Sequence, residues 1–426
     1  MRAIAQHNLW FMGPPKNRNY RLQGKSMISL IPRLGRTSSS DAGVLRQEMQ
    51  WLHRYTGRDG RNFVYSLEWI SPDHLIDENL NAVFLPEIEK TKATWNIFYD
   101  PVLAANNREL GGSGPLDFSK PKLAEMLRSD LAYMWANYFG HSQYWRLRGK
   151  PVFYIWAVAN GTRNIEPLIA EAQSQGVYVL GDVFGSSEFP PDMDGFTGFV
   201  AATPQLQGLA TEIPSVLSVF EKYFLQYGAP DSARPGDVIP AISCQYDDTR
   251  FRNIIDRPAT RILARNRKDV ERFLRLVKSN SQRIDGEKYA WIGTTNNWAE
   301  ATTLLPTVDK GPQFLNRGEG FAKAGNYGYQ HLEAVHNVLF PSEPAYIGPR
   351  ILQREDGSIR FVDCDLLGEL QVKNANKVDN PPDWATGMEL RDLKNFGRQW
   401  RPQNPRGVVL RFRNLDGRSN RMVVRE

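Results

Sequence analysis

Eight short apolar runs, amphipathic helical stretches between them, and a change to strand-like patterning near Ser342 predict an α/β fold. The expected form is a (β/α)8 TIM barrel over residues 1–342, followed by a small β-rich accessory domain over 343–426. The chain has 426 residues, too many for one small domain.

The runs are AIAQHNLWF (3–11), NFVYSLEW (62–69), ATWNIFY (93–99), PVFYIWAV (151–158), VYVLGDV (177–183), GFTGFV (195–200), DVIPAISC (237–244) and YAWIGTT (289–295). Several lack strict alternation, as strands buried on both faces do. Between them, Leu123, Met126, Leu127, Leu131, Met134 and Trp135 recur at spacings of three and four. Pro121 suits the first turn of that helix and Gly140 its stop. Residues 164–176 fit a helix between the fourth and fifth strands. Val270, Phe273, Leu274 and Val277 repeat the helical pattern, with Asp269 near its start. Residues 328–340 supply the last barrel helix. An open doubly wound sheet is the competing arrangement, but no GxGxxG or phosphate loop follows the first strand. Beyond the SEPAYIGPR bridge, GSIRFVDCDLLGELQVK and GVVLRFRNLDGRSNRMVVRE read as strands, the second with a hairpin turn at LDGRS.

Composition narrows the function classes. Hydrophobic residues make up 41% and charged residues 23%, the balance of a water-soluble globular chain, and no apolar run is long enough to span a membrane. The net charge of +6 is a mild bias compatible with an anionic glycan; the basic stretches match no nucleic-acid motif. Cys244 and Cys364 allow at most one disulfide and no disulfide framework, and they lack zinc-ligand spacing. The six histidines form no HExxH pattern, and His331 and His336, five apart on one helix, read as ordinary polar positions. No cofactor and no metal is implied. The N-terminus lacks a basic region followed by an apolar one, so localisation stays open: cytoplasmic, or secreted or periplasmic after removal of a leader.

In such a barrel the chemistry sits at the C-terminal strand ends. The residues there are Trp10, Glu68 and Trp69, Tyr99 and Asp100, Asp182, then Tyr246, Asp247, Asp248 and Arg250, and finally Asn296, Asn297, Trp298 and Glu300. Aromatic rings stack on the C–H faces of sugars, while carboxylates, amides and guanidinium groups orient their hydroxyls. Glycoside cleavage uses two carboxyl groups, one of them an acid for the leaving oxygen. The expected substrate is therefore a polysaccharide or oligosaccharide. For each carboxylate alone, capping or surface exposure is the plain alternative.

KYAWIGTTNNWAEATTLLP (288–306) resembles the end of strand eight in glycoside hydrolase family 99 and the related WbsX-like barrels. DVIPAISCQYDDTR is similar to their strand-seven segment, the stretch through RLRGKPVFYIW to their fourth strand, and GYQHLEAVHNVL to their last helix; the resemblance spans roughly residues 1–340. It implies a (β/α)8 endo-acting mannosidase or mannanase. Glu300 falls on the family's acid/base glutamate, Trp298 on the tryptophan beside it, Asn297 on the glutamate that assists the 2-hydroxyl, and Ala299 on a histidine. An amide takes no proton at neutral pH, so Asn297 cannot be the base. The second carboxylate would come from another strand, with Asp248, Asp247, Glu68 and Asp182 as candidates in that order. The leading reading is an endo-acting glycoside hydrolase. The alternatives are a catalytically inactive carbohydrate-binding pseudoenzyme, favoured by Asn297, and a glycosyltransferase-like protein of surface polysaccharide assembly, for which no DxD-type metal signature accompanies a nucleotide-binding strand–turn–helix.

Overall fold

The computed structural model describes residues 1–9, 21–22, 25–26, 32–34, 38–112, 114–182, 193–197, 236–242, 246–247, 261–262, 267–297, 303–307, 328–353, 359–365, 369–374, 388–389, 399–400 and 408–423. Each of the eight apolar runs contains a strand. They are β1 (Arg2–His7), β2 (Phe63–Trp69), β3 (Thr94–Tyr99), β4 (Lys150–Ile155), β5 (Tyr178–Asp182), β6 (Gly195–Thr197), β7 (Asp237–Val238) and β8 (Glu287–Thr294).

Neighbours in sequence are neighbours in space, and all pair in parallel from β8 through β1 to β7. The ring closes just beyond β7. Ala241 bridges Trp291 of β8 in parallel, Trp291 N donates to Pro240 O at 2.9 Å, and Ile242 N donates to Trp291 O at 2.8 Å. This closure decides between the barrel and the open sheet.

Alternation along each strand splits the apolar residues into two sets. Phe63, Tyr65, Leu67 and Trp69 of β2 face outward and join the layer beneath the helices. Ile4, Val64, Phe98, Val152, Tyr154, Leu180, Ala241 and Trp291 fill the lumen. At mid-height Tyr154 stacks on Trp291, ring centres 4.8 Å apart, and Phe98 lies 4.7 Å from Tyr154. β4 and β8 are on opposite sides of the barrel, so this contact plugs the lumen and gives the upper chamber a floor.

The helices that cover the barrel include α1 (Ala42–Thr56), α2 (Leu75–Asn79), α3 (Leu85–Ile88), α4 (Pro101–Asn107), α5 (Pro121–Asn137), α6 (Val158–Gly161), α7 (Glu166–Ser174), α8 (Arg267–Asn280) and α9 (Gln330–Leu339). Asp41 caps α1 through Gly43 N and Val44 N, and Pro121 occupies the first turn of α5 as its sequence suggests. A π-helical turn, Leu80–Phe84, joins α2 to α3. His331 and His336 are not ordinary polar positions. Both are buried on α9 and pair with backbone oxygens, of Thr303 at 3.1 Å and Tyr55 at 3.3 Å. Burial pushes His331 down to about 4, so it is neutral.

From residue 350 onward the described strands are antiparallel. Arg350–Gln353, Ile359–Val362 and Gln399–Trp400 form one sheet. Met388–Glu389, Glu369–Asn374, Val408–Arg413 and Ser419–Val423 form another. The last two make the hairpin expected around LDGRS. No helix among the described residues is long and apolar enough to cross a membrane.

Candidate active site

The upper chamber is lined by the inward-facing positions at the C-terminal strand ends. On β1 these are Gln6 and then Asn8, on β2 Ser66 and Glu68, on β3 Asn96 and then Asp100. Beyond β4 comes Trp156, and β5 and β6 contribute Asp182 and Thr197. Gln6, Ser66 and Asn96 sit side by side in register on three adjacent strands. Polar residues at such positions inside apolar runs were the readable signal for the chamber.

Glu68 is buried, 8% exposed, and accepts a hydrogen bond from Gln6 Nε2 at 3.3 Å. Asp182 is fully buried and accepts the Ala157 N–H at 3.1 Å. Asp100 begins α4, where it accepts Leu103 N at 2.8 Å, and burial raises its carboxyl to about 6 despite that bond. Among the described residues, Gln6 Oε1, Ser66 Oγ, Asn96 Oδ1, Thr197 Oγ1 and the indole nitrogens of Trp156 and Trp291 are buried without a hydrogen-bond partner. Such groups each cost about 1–3 kcal/mol, so their concentration in one chamber marks a place built for polar contents.

Two expected sugar contacts are corrected. Trp69 and Tyr99 lie on the outward-facing parity, next to the inward Glu68 and Asp100. Trp69 is fully buried behind the barrel, donating Nε1–H to Asp77 at 2.7 Å and packing on Tyr133. Tyr99 is equally buried and donates to Asp130 at 2.8 Å. Neither ring reaches the chamber, because adjacent residues of a strand point to opposite faces.

Strand β8 departs from simple alternation. Ile4 pairs with Trp291 but Gln6 pairs with Thr294, so three steps on β8 oppose two on β1. Gly293 takes up the extra residue at φ +82°, a conformation open to glycine. The bulge reverses the parity beyond it. Thr294 joins the inward row, and Thr295 turns outward, where its hydroxyl meets His7 Nδ1 at 2.6 Å. The buried Asn296 side chain clasps the backbone of β1's extension: Nδ2 donates to Asn8 O at 3.0 Å, and Oδ1 accepts Asn8 N–H at 2.8 Å. Its amide thus acts as an added rung of the sheet. Asn297 is 8% exposed, its backbone N–H donating to Thr294 Oγ1 at 3.1 Å.

Tyr246–Asp247 form a short strand paired with Arg261–Ile262. Trp10, Asp248, Arg250, Trp298 and Glu300 lie outside the described residues. Gln6, Ser66, Asn96, Trp156, Thr197 and His7 are not among the site candidates read from sequence; inward parity picks out the first five.

These features define a closed (β/α)8 barrel with buried acids and unpaired polar groups at its C-terminal mouth. No protein-family model and no curated protein matches the chain. Among solved structures it is similar in fold to the GH99 endo-α-mannosidase from Bacteroides thetaiotaomicron in complex with bis-tris-propane. The TM-score is 0.56 at 20% identity, over 79% of this chain and 96% of that one. It is also similar to a glycoside hydrolase-like protein, with a TM-score of 0.54 at 14% identity, over 79% of this chain and 93% of the other. The likeness in fold agrees with the resemblance read from strand eight.

Proposed function

We propose that the chain is a glycoside hydrolase, endo-acting on a polysaccharide. The observation that carries this reading is a chamber at the C-terminal strand ends lined by inward acids and amides from separate strands, in a barrel whose fold is like that of an endo-α-mannosidase. Glu300 donates the proton to the leaving oxygen, Trp298 walls the site, and Tyr246, Asp247 and Arg250 hold substrate hydroxyls. Asp182 already serves the Ala157 N–H, so the second carboxylate is sought among Asp248, Asp247 and Glu68. A separation of about 5–5.5 Å from Glu300 would make that group a nucleophile, and about 6.5–9.5 Å a base for water. The net charge of +6 suits an anionic chain as well as a neutral one.

The test is release of reducing ends from α-mannan, neutral β-glucan and uronic-acid polysaccharide, with Glu300→Gln as control. Activity on one of them should fall by at least about a hundredfold in the variant. Undiminished activity in Glu300→Gln would overturn the assignment. Asn297 favours a second reading, a carbohydrate-binding pseudoenzyme, because an amide stands where the resemblance places a carboxylate. That reading expects calorimetric binding of an oligosaccharide with no new reducing ends.

A further inference from the structure

Trp156 follows β4 at the chamber's mouth. Tyr99 pairs with Ile155 and Ile155 with Gly181, so Asp100, Trp156 and Asp182 come next at one level, and Asp182 pairs with Thr197. This row spans four adjacent strands on the inward face. Trp156 is only partly buried and packs on the lumen cluster, whereas among the described residues its Nε1 is buried with no hydrogen-bond partner, as is Thr197 Oγ1. Thr197 is 1% exposed, so its hydroxyl is held in the chamber rather than in solvent.

The residue after Trp156 explains how the indole is presented. Ala157 adopts φ 48°, ψ 31°, a left-handed conformation that non-glycine residues adopt only where their surroundings impose it. Here the fully buried Asp182 carboxylate accepts its N–H. The chain is thereby turned off the end of β4 into α6, leaving Trp156 at the rim.

We propose that Trp156 is the ring platform of this site and determines its specificity. Its indole face takes the apolar face of one pyranose unit, and its N–H and the Thr197 hydroxyl serve that sugar's hydroxyls. Asp182 is a positioning residue that acts through Ala157. The assignment rests on the glycan reading above and names one substrate contact within it.

The test is calorimetric binding of α-mannan, β-glucan and uronic-acid oligosaccharides to the full chain, its Trp156 and Asp182 variants, and thermal melting of each. For the oligosaccharide that the wild type binds tightest, Trp156→Ala should raise Kd by at least about thirtyfold. Trp156→Phe keeps a ring and loses one donor, so about three- to tenfold is expected. Asp182→Asn retains an oxygen for the Ala157 N–H and should stay within about threefold, while Asp182→Ala should approach Trp156→Ala. Unchanged Kd in a folded Trp156→Ala overturns the proposal and leaves the glycan reading standing. Should that variant fail to fold, Trp156→Phe decides, and a Kd equal to wild type overturns it. Asp182→Asn as damaging as Asp182→Ala overturns the positioning role. A wild type that binds and cleaves none of the panel overturns both the platform and the glycan reading.

Discussion

His7 shows how burial overrides formal charge at a single residue. Its Nε2 lies 4.0 Å from Glu48 Oε2, within ion-pair range, and both side chains are almost entirely buried. Burial pushes His7 down to about 3 and Glu48 up to about 8, so the pair is neutral near pH 7. At 4.0 Å no hydrogen bond offsets the desolvation of two charges, which is why neutrality wins. The neighbouring Tyr65 is raised too, by its own burial and then by Glu48. The two shifts act on stability in opposite directions. Glu48, raised in the folded state, contributes stability that is complete below about pH 4.5 and lost as pH rises through about 8. His7, lowered in the folded state, contributes stability present above about 6.5 and lost as pH falls through about 3. Glu48→Gln should therefore match wild type near pH 4 and become more stable by about 1–3 kcal/mol at pH 8.5, by urea denaturation. Parallel stability curves across that window would mean that Glu48 is charged in the folded protein.

At the scale of an element, α1 is tied to the C-terminal segment by a buried ion pair. Arg54 Nη2 lies 2.7 Å from Asp365 Oδ1, with side chains 2% and 0% exposed, and its guanidinium sits 4.5 Å from the Tyr346 ring centre. Asp365 also accepts Trp51 Nε1 at 3.1 Å and Leu415 N at 2.8 Å, so the carboxylate is well satisfied. Among the described residues Arg54 Nε and Nη1 have no hydrogen-bond partner, and Nη2 donates to Asp363 O at 3.2 Å besides Asp365, so Asp365 is the carboxylate that balances the guanidinium. Arg54→Met and Asp365→Asn should each cost about 3–5 kcal/mol, because each strands the other's charge. The double variant should lose less than the two costs summed, and strict additivity in denaturation midpoints would refute the coupling. The sequence shows α1 as a helix, yet nothing local in "WLHRYT" marks Arg54 for burial, since its partner lies some three hundred residues away.

For the whole molecule, the same contacts bear on how the chain is divided. The described strands beyond residue 349 form antiparallel sheets of their own, and the proposal that residues 343–426 are a separate accessory domain predicts a barrel that survives alone. The contacts of α1 argue for a capping role. Gln50 Nε2 donates to Cys364 O at 2.8 Å, and Tyr55 packs edge-on against Tyr346. Truncation after residue 342 would leave Trp51, Arg54 and Tyr55 without these partners. It is expected to lower the soluble yield severely and broaden the thermal transition. A soluble 1–342 fragment melting cooperatively at the full-length temperature would instead establish an independent accessory module.

The sequence by itself determined the kind and order of the barrel's elements. Strands buried on both faces need unbroken apolar runs, and helices need a stripe repeating every three to four residues; both patterns are local and legible. It also placed polar chemistry at the strand ends. What it could not assign was the direction of each side chain there. In FVYSLEW a period of two separates Val64, Ser66 and Glu68 from Phe63, Tyr65, Leu67 and Trp69, but nothing local says which set faces the lumen. Only closure of the ring through Ala241 and Trp291 decides which face is the lumen. Only pairing with β1 reveals the bulge at Gly293 that turns Thr295 outward onto His7. Local chemistry sets an element's type, whereas inward or outward parity is a property of register between strands distant in sequence.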